Sequence, residues 1–177
     1  MTPYSFYTIS DPNAGSEGTI VTGVNASGEL AGDYYDSAGT EHGFTYSNGS
    51  FTHFSDLPSA TPTYETHIGI VGGINDAGEA AGYYYNIPGV PAGGGCGFID
   101  HNGSYSYFGI SSGQSGGFVT AINNSGEIVG NYYSYYAAGA FAGQTGFIYA
   151  SGTYTDISDP GANYGGNPFD ANWGRLS

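Results

Sequence analysis

The apolar and aromatic residues of this chain fall in short runs that are separated by turns rich in Gly, Asn and Ser. In the first third of the chain these runs cover residues 20–24, 29–35, 42–46 and 50–54. The dipeptide Asn48-Gly49 between two such runs is a strong hairpin signal, because both residues tolerate the positive φ of a tight turn. No stretch keeps the 3.6-residue period of an amphipathic helix, so the pattern predicts short β-strands throughout.

The same pattern occurs three times. The first motif consists of an apolar residue, Asn, two small or turn-forming residues, Gly and Glu. It begins at Val24, Ile74 and Ile122, and its Asn residues are 50 and 48 positions apart. A second motif, Gly-Phe, recurs as Gly43-Phe44, Gly97-Phe98 and Gly146-Phe147, each followed by a turn dipeptide and an aromatic-led run. We therefore divide a single domain, residues 1–177, into repeats at about 6–53, 54–107 and 108–157, with a partial repeat at 158–177.

A period near 50 residues with four strands is typical of a propeller blade. The fold class predicted is all-β, a β-propeller-like array of four-stranded repeats with three full repeats and a fragment. Three blades are fewer than an ordinary propeller needs. The alternatives are a threefold trefoil or prism, a segment of a longer propeller, or completion of the loose ends between molecules.

The two motifs together resemble the bacterial HAF-type extracellular repeat family. The resemblance spans Phe6 to Leu176 and implies secretion or surface display and a propeller-like array, with no chemistry to carry over. The His-Ala-Phe element of that family reads His-Gly-Phe at residue 42, Cys-Gly-Phe at 96 and Thr-Gly-Phe at 145. Because the His is not kept among the repeats, no shared role is expected for it.

Charge narrows the classes of partner. The chain has 15 acidic residues, one basic residue, Arg175, and a formal net charge of -14. Nucleic-acid binding requires Lys and Arg to neutralise phosphates, so that role is excluded, as is an anionic membrane surface. No apolar stretch approaches the length of a membrane span. Residues 1–20 lack the basic start and apolar segment of a signal peptide, so we expect either a mature form or export without a cleaved signal.

Unpartnered strands at the two ends suggest self-association. Residues 6–9 match the last strand of a repeat, and the C-terminal fragment matches the first strand; the residues are Phe6, Tyr7, Thr8, Ile9, Asn172 and Trp173. These two edges are different surfaces, so a contact between them is head-to-tail and yields a ring or a filament. Main-chain pairing would supply the affinity, as in strand addition.

Two sets of acidic residues are candidate sites. Glu29, Glu79 and Glu127 recur at the same place in each repeat, and paired carboxylates could serve glycoside hydrolysis. Equivalent positions of a repeat are spread apart, however, so solvated hairpin residues are the favoured interpretation. Asp33, Asp36 and Glu41 cluster near one loop and are calcium candidates, although their spacing is not that of an EF-hand. Surface acidic residues are therefore the favoured interpretation; no cofactor is expected, and calcium is left open as the one possibility.

The tyrosines that end the second strand of each repeat are the candidate ligand or self-contact aromatics: Tyr34, Tyr35, Tyr84, Tyr85, Tyr132 and Tyr133. Alternation along a strand sends one member of each pair inward and its neighbour outward. The function predicted is a non-catalytic extracellular or cell-surface structural protein that self-assembles through open strand edges. The first alternative is a glycan-binding, lectin-like module, and the lesser alternative is a secreted glycoside hydrolase.

Overall fold

The computed structural model describes residues 5–54, 71–84, 95–110, 117–135 and 141–157. These residues form β-strands joined by turns, and none of them lies in a helix that could cross a membrane. The strands are β1 (Thr19–Val24), β2 (Leu30–Tyr35), β3 (Glu41–Ser47), β4 (Ser50–His53), β5 (Val71–Ile74), β6 (Ala80–Tyr84), β7 (Gly95–His101), β8 (Ser104–Ile110), β9 (Gly117–Ile122), β10 (Ile128–Tyr135), β11 (Phe141–Ala150) and β12 (Thr153–Ile157).

The strands build three antiparallel sheets of four strands each, and within every sheet the strands follow chain order. Sheet 1 contains β1 to β4, sheet 2 contains β5 to β8, and sheet 3 contains β9 to β12. This confirms the all-β fold and the division into four-stranded repeats. How the array closes, as a propeller or otherwise, stays a prediction.

The predicted hairpin turns join the third and fourth strands. Asn48, Asn102 and Ser151 have φ of 52°, 54° and 50°, and each is followed by a Gly with positive φ. Two successive residues with positive φ make the turn whose twist matches that of paired strands. The local turn chemistry of the sequence is therefore realised at all three equivalent places.

The three sheets stack in chain order through their first strands. Strand β5 packs against β1 and β2, and β9 packs against β5 and β6. The backbones come very close there: a Cβ on Gly23 would lie 3.1 Å from the Cα of Gly73, and a Cβ on Gly72 would collide with the carbonyl oxygen of Val119. Glycines in these strands thus permit one sheet to lie directly on the next.

Two apolar cores fill the spaces between the sheets. The first lies between sheets 1 and 2 and contains Ala31, Phe54, Val71, Ile74, Ala80, Tyr84 and Phe98. The second lies between sheets 2 and 3 and contains Ala81, Tyr83, Phe108, Ile110, Val119, Ile122, Ile128 and Phe147. Sheet 2 is therefore covered on both faces, whereas sheets 1 and 3 each bury one face against it.

Candidate assembly interface

The outer face of sheet 1, which we call the N face, presents Val21, Val24 and Leu30. The N face corresponds by register to the face that sheets 2 and 3 turn toward the sheet before them. Val21 is 46% exposed, whereas its equivalents Val71 and Val119 are 0% and 2% exposed. Val24 is 65% exposed, against 8% for Ile74. Val21 and Val24 thus lie on an inter-sheet surface that no sheet of the described residues covers.

The outer face of sheet 3, which we call the C face, presents Val129 and Ile157. Val129 is 37% exposed, and its equivalents in sheets 1 and 2, Ala31 and Ala81, are fully buried. Ile157 is 48% exposed, whereas the equivalent Phe54 is 5% exposed. The N face and the C face are therefore the two different halves of the interface that the chain forms twice within itself.

An asparagine organises the turn between the first and second strands of each repeat. Asn75 Oδ1 accepts hydrogen bonds from the main-chain N–H groups of Ala77 and Glu79, both at 3.0 Å, and its Nδ2 donates to Glu79 Oε2 at 2.8 Å. The same bonds form around Asn25 and Asn123. Main-chain N–H groups in a turn have no partner strand, and hydrogen bonds to a side chain satisfy them instead.

This turn also accounts for the recurring glutamates. Each of Glu29, Glu79 and Glu127 accepts from the Asn four residues before it. The hydrogen bond from Asn75 has the largest effect on Glu79 and the one from His101 the next largest. Together they hold the pKa of Glu79 below its usual range. The three carboxylates thus brace three separate turns, which matches the interpretation as hairpin residues.

The turns of neighbouring repeats are linked to one another, which the sequence did not reveal. Asn25 Nδ2 donates to the main-chain oxygen of Asn75 at 3.0 Å, and Asn75 Nδ2 donates to that of Asn123 at 3.1 Å. One residue further, Ala26 N–H donates to Asp76 Oδ1 at 2.7 Å, and Asp76 N–H donates to Asn124 Oδ1 at 2.9 Å. We call this series the asparagine ladder. Its only sequence signal is the exact recurrence of Asn at the repeat period.

The three calcium candidates have separate partners. Asp33 is 1% exposed and accepts from Val71 N–H at 2.9 Å, which ties sheet 1 to sheet 2. Asp36 accepts from the main chain of its own loop and from His42, and Glu41 accepts from Tyr35 Oη at 2.9 Å. Among the described residues no three His, Cys, Asp or Glu side chains converge as metal ligands. The calcium prediction therefore has no geometric support from these residues.

Burial gives Asp33 unusual electrostatics. Desolvation raises its pKa from 3.8 to about 8, against the opposing effect of the Val71 N–H, and the nearby Glu41 adds to the rise. A carboxyl in such a place favours its protonated form.

The tyrosine predictions divide by strand face. Tyr34 and Tyr84 are buried, so an exposed ligand or self-contact role does not hold for these two; the strand turns them into the packing between elements. Tyr34 stacks on His42 with ring centroids 5.0 Å apart. Tyr35, Tyr132 and Tyr133 are half-buried, and Tyr85 lies outside the described residues.

The predicted edge strands are only partly described. Phe6 and Tyr7 are 96% and 86% exposed, and residues 6–9 belong to no strand. The segment is anchored just after this point, because Asp11 is buried and pairs with His53 at 2.7 Å. Asn172 and Trp173 lie outside the described residues, so the pairing of these two edges stays a prediction.

A polar cleft of about 290 Å³ lies between sheets 1 and 2 at the end that carries the asparagine turns. Its polar lining consists of Glu29, Thr45, Ser47, Thr52, Asp100 and Asn102. Asp100 is buried, accepts from Gly103 N–H, and has a raised pKa caused by desolvation. The equivalent positions in the other repeats hold Tyr46 and Tyr149, so a carboxyl group occurs at this position only in sheet 2 among the three described sheets.

No protein-family model matches the chain, and no curated protein or solved structure is significantly similar to it. The resemblance to HAF-type repeats therefore stays a prediction.

Proposed function

We propose that this chain is a non-catalytic structural protein of the cell surface or extracellular matrix whose copies associate head-to-tail into a filament or ring. The N face of one copy would pack on the C face of the next. The partner is then the chain itself, and the contact has the heterologous form that propagates unless its rotation closes a ring.

The observation that carries this proposal is the difference in exposure between equivalent residues. Val24 is 65% exposed where Ile74 and Ile122 are 8% exposed, and Ile157 is 48% exposed where Phe54 and Phe108 are 5% and 6% exposed. Fully burying a side chain of this size contributes about 1.5–3 kcal/mol. Covering both faces would therefore reproduce the interactions that hold sheet 1 to sheet 2.

The charge of the chain makes the proposed association sensitive to salt. A net charge of -14 repels like copies at long range, and this repulsion is screened over about 8 Å at physiological ionic strength. We therefore expect association to strengthen as salt rises, with divalent cations effective through screening rather than through a dedicated site.

The test is sedimentation velocity and electron microscopy of the purified chain at physiological salt. Val24→Asp, which places a charge on the N face, should raise the dissociation constant at least tenfold, because an unpaired charge would be buried at each contact. Ser50→Asp adds the same charge at an exposed hairpin tip and should leave association unchanged.

A third variant, lacking residues 1–10, separates two routes of contact. Loss of assembly in this variant would assign the contact to strand pairing by residues 6–9, as the sequence predicts, while retained assembly would assign it to the sheet faces. Uniform monomers for the unmodified chain at all concentrations would rule out the proposal.

The cleft between sheets 1 and 2 favours a second candidate, binding of a neutral sugar. Its hydroxyl, amide and carboxyl groups can exchange hydrogen bonds with a polyol, and none of the described residues that line it is basic, so anions are disfavoured. A neutral oligosaccharide panel should raise the melting temperature of the chain, and Asp100→Asn should reduce that rise. Asp36→Asn, outside the cleft, is the control. No stabilisation at millimolar sugar would exclude this candidate.

A further inference from the structure

The asparagine ladder has a direction. At each step the earlier repeat supplies the donors, a side-chain Nδ2 and a main-chain N–H, and the later repeat supplies the acceptors, a main-chain oxygen and a side-chain oxygen. A return bond from Asn124 Nδ2 to Asp76 Oδ2, 2.7 Å, reinforces the second step. Each joint between repeats therefore contains two kinds of rung, one centred on the Asn and one on the residue after it.

The donor end of the ladder lies at repeat 3. Within the described part of the chain, Asn123 Nδ2 donates to Glu127 and makes no bond to a later repeat. Asn123 is exposed, whereas Asn25 and Asn75 are 8% and 3% exposed. A donor of the first rung is thus available beside the C face.

The acceptor end lies at repeat 1. The main-chain oxygens of Asn75 and Asn123 each accept two hydrogen bonds, one from their own turn and one from the preceding repeat. The oxygen of Asn25 accepts from Gly28 in its own turn, and its second lone pair is available beside the N face. The second rung cannot continue, because Ala26 stands where the later repeats carry Asp76 and Asn124.

We infer that the asparagine ladder continues between copies, with Asn123 of one copy donating to the main-chain oxygen of Asn25 in the next, and that Ala26 weakens this joint by removing its second rung. The inference rests on the proposed head-to-tail association. It commits to a second copy as the occupant because the N and C faces flanking the ladder already form the same interface twice within the chain. Ala26 would then distinguish joints within a chain from joints between chains.

The test is a gain of affinity. Ala26→Asn, or Ala26→Asp as a second variant that copies Asp76, supplies the missing acceptor, and a net hydrogen bond should lower the dissociation constant between copies about 2- to 10-fold. Ser27→Asn is the matched control, since the Ser27 N–H bonds to Asn25 of its own turn and Ser27 is exposed. Circular dichroism and urea unfolding would verify that all variants fold.

The outcomes separate the two proposals. Tighter association for the Ala26 variants, with Ser27→Asn unchanged, supports the ladder between copies. Association that is equally strong in all variants overturns the ladder inference and leaves head-to-tail assembly standing. Association of the Ala26 variants alone supports the ladder and overturns self-assembly of the unmodified chain, and monomers throughout overturn both.

Discussion

Asp33 provides the sharpest test of the packing between sheets 1 and 2. Asp33→Asn keeps an oxygen that can accept from Val71 N–H but removes the ionisable group. Three strands surround Asp33. Ile20 of β1 and Gly43 of β3 lie opposite it in the sheet, and Glu41 of β3 is the nearby charge. Strand β5 contributes Val71. The variant therefore isolates the effect that ionisation of Asp33 has on the free energy of unfolding.

The magnitude follows from the pKa. The folded state holds the proton of Asp33 up to about pH 8, whereas the unfolded chain releases it near the ordinary value of 3.8. Because the folded pKa is the higher one, the stabilisation is fully present below about pH 4 and is lost as pH rises toward 8. The slope is about 1.4 kcal/mol per pH unit, and the loss over the whole range is on the order of 6 kcal/mol.

The assay is urea unfolding followed by circular dichroism at intervals from pH 4 to pH 9. The free energy of unfolding of Asp33→Asn should exceed that of the unmodified chain above pH 7, and the difference should shrink as the pH falls. Asp36→Asn is the control, since hydrogen bonds from its loop and from His42 lower the pKa of Asp36, so that its contribution has the opposite sign. Parallel pH profiles for Asp33→Asn and the unmodified chain between pH 5 and 8 would refute the argument.

Two further pairs of substitutions test the turn and the close approach of the strands. Asn75→Ala removes hydrogen bonds within the turn and to the next repeat, and should lower the free energy of unfolding in urea by about 2–4 kcal/mol. Asn123 is exposed, and Asn123→Ala loses the turn bonds alone, so it should lower the free energy of unfolding by less. Gly72→Ala places a methyl group against the Val119 oxygen and should cost about 1–3 kcal/mol in thermal unfolding. Gly109→Ala, where the added methyl meets open space, should cost under about 1 kcal/mol, and equal losses for both glycines would contradict the packing described.

Some roles could not be predicted because they depend on which residues meet across repeats. Glu29 and its equivalents, which suggested paired carboxylates or solvated hairpin residues, are not of this kind, because each accepts a hydrogen bond from the Asn four positions before it in the same turn. Asp33 looked like one ligand of a surface calcium site, yet strand β5 covers it. For Asp33 the neighbour that decides the chemistry, Val71, lies 38 residues away along the chain and is brought into contact by folding.

The sequence by itself determined the all-β class, the four strands of each repeat and the turns between them, because positive φ at Asn-Gly and short apolar runs act within a few residues. Tertiary structure alone decided that sheets stack through β1, β5 and β9, that the Asn turns join into a ladder, and that Val24 and Ile157 lie on open faces. Burial and inter-repeat hydrogen bonds depend on contacts about 50 residues apart, which local patterns do not encode.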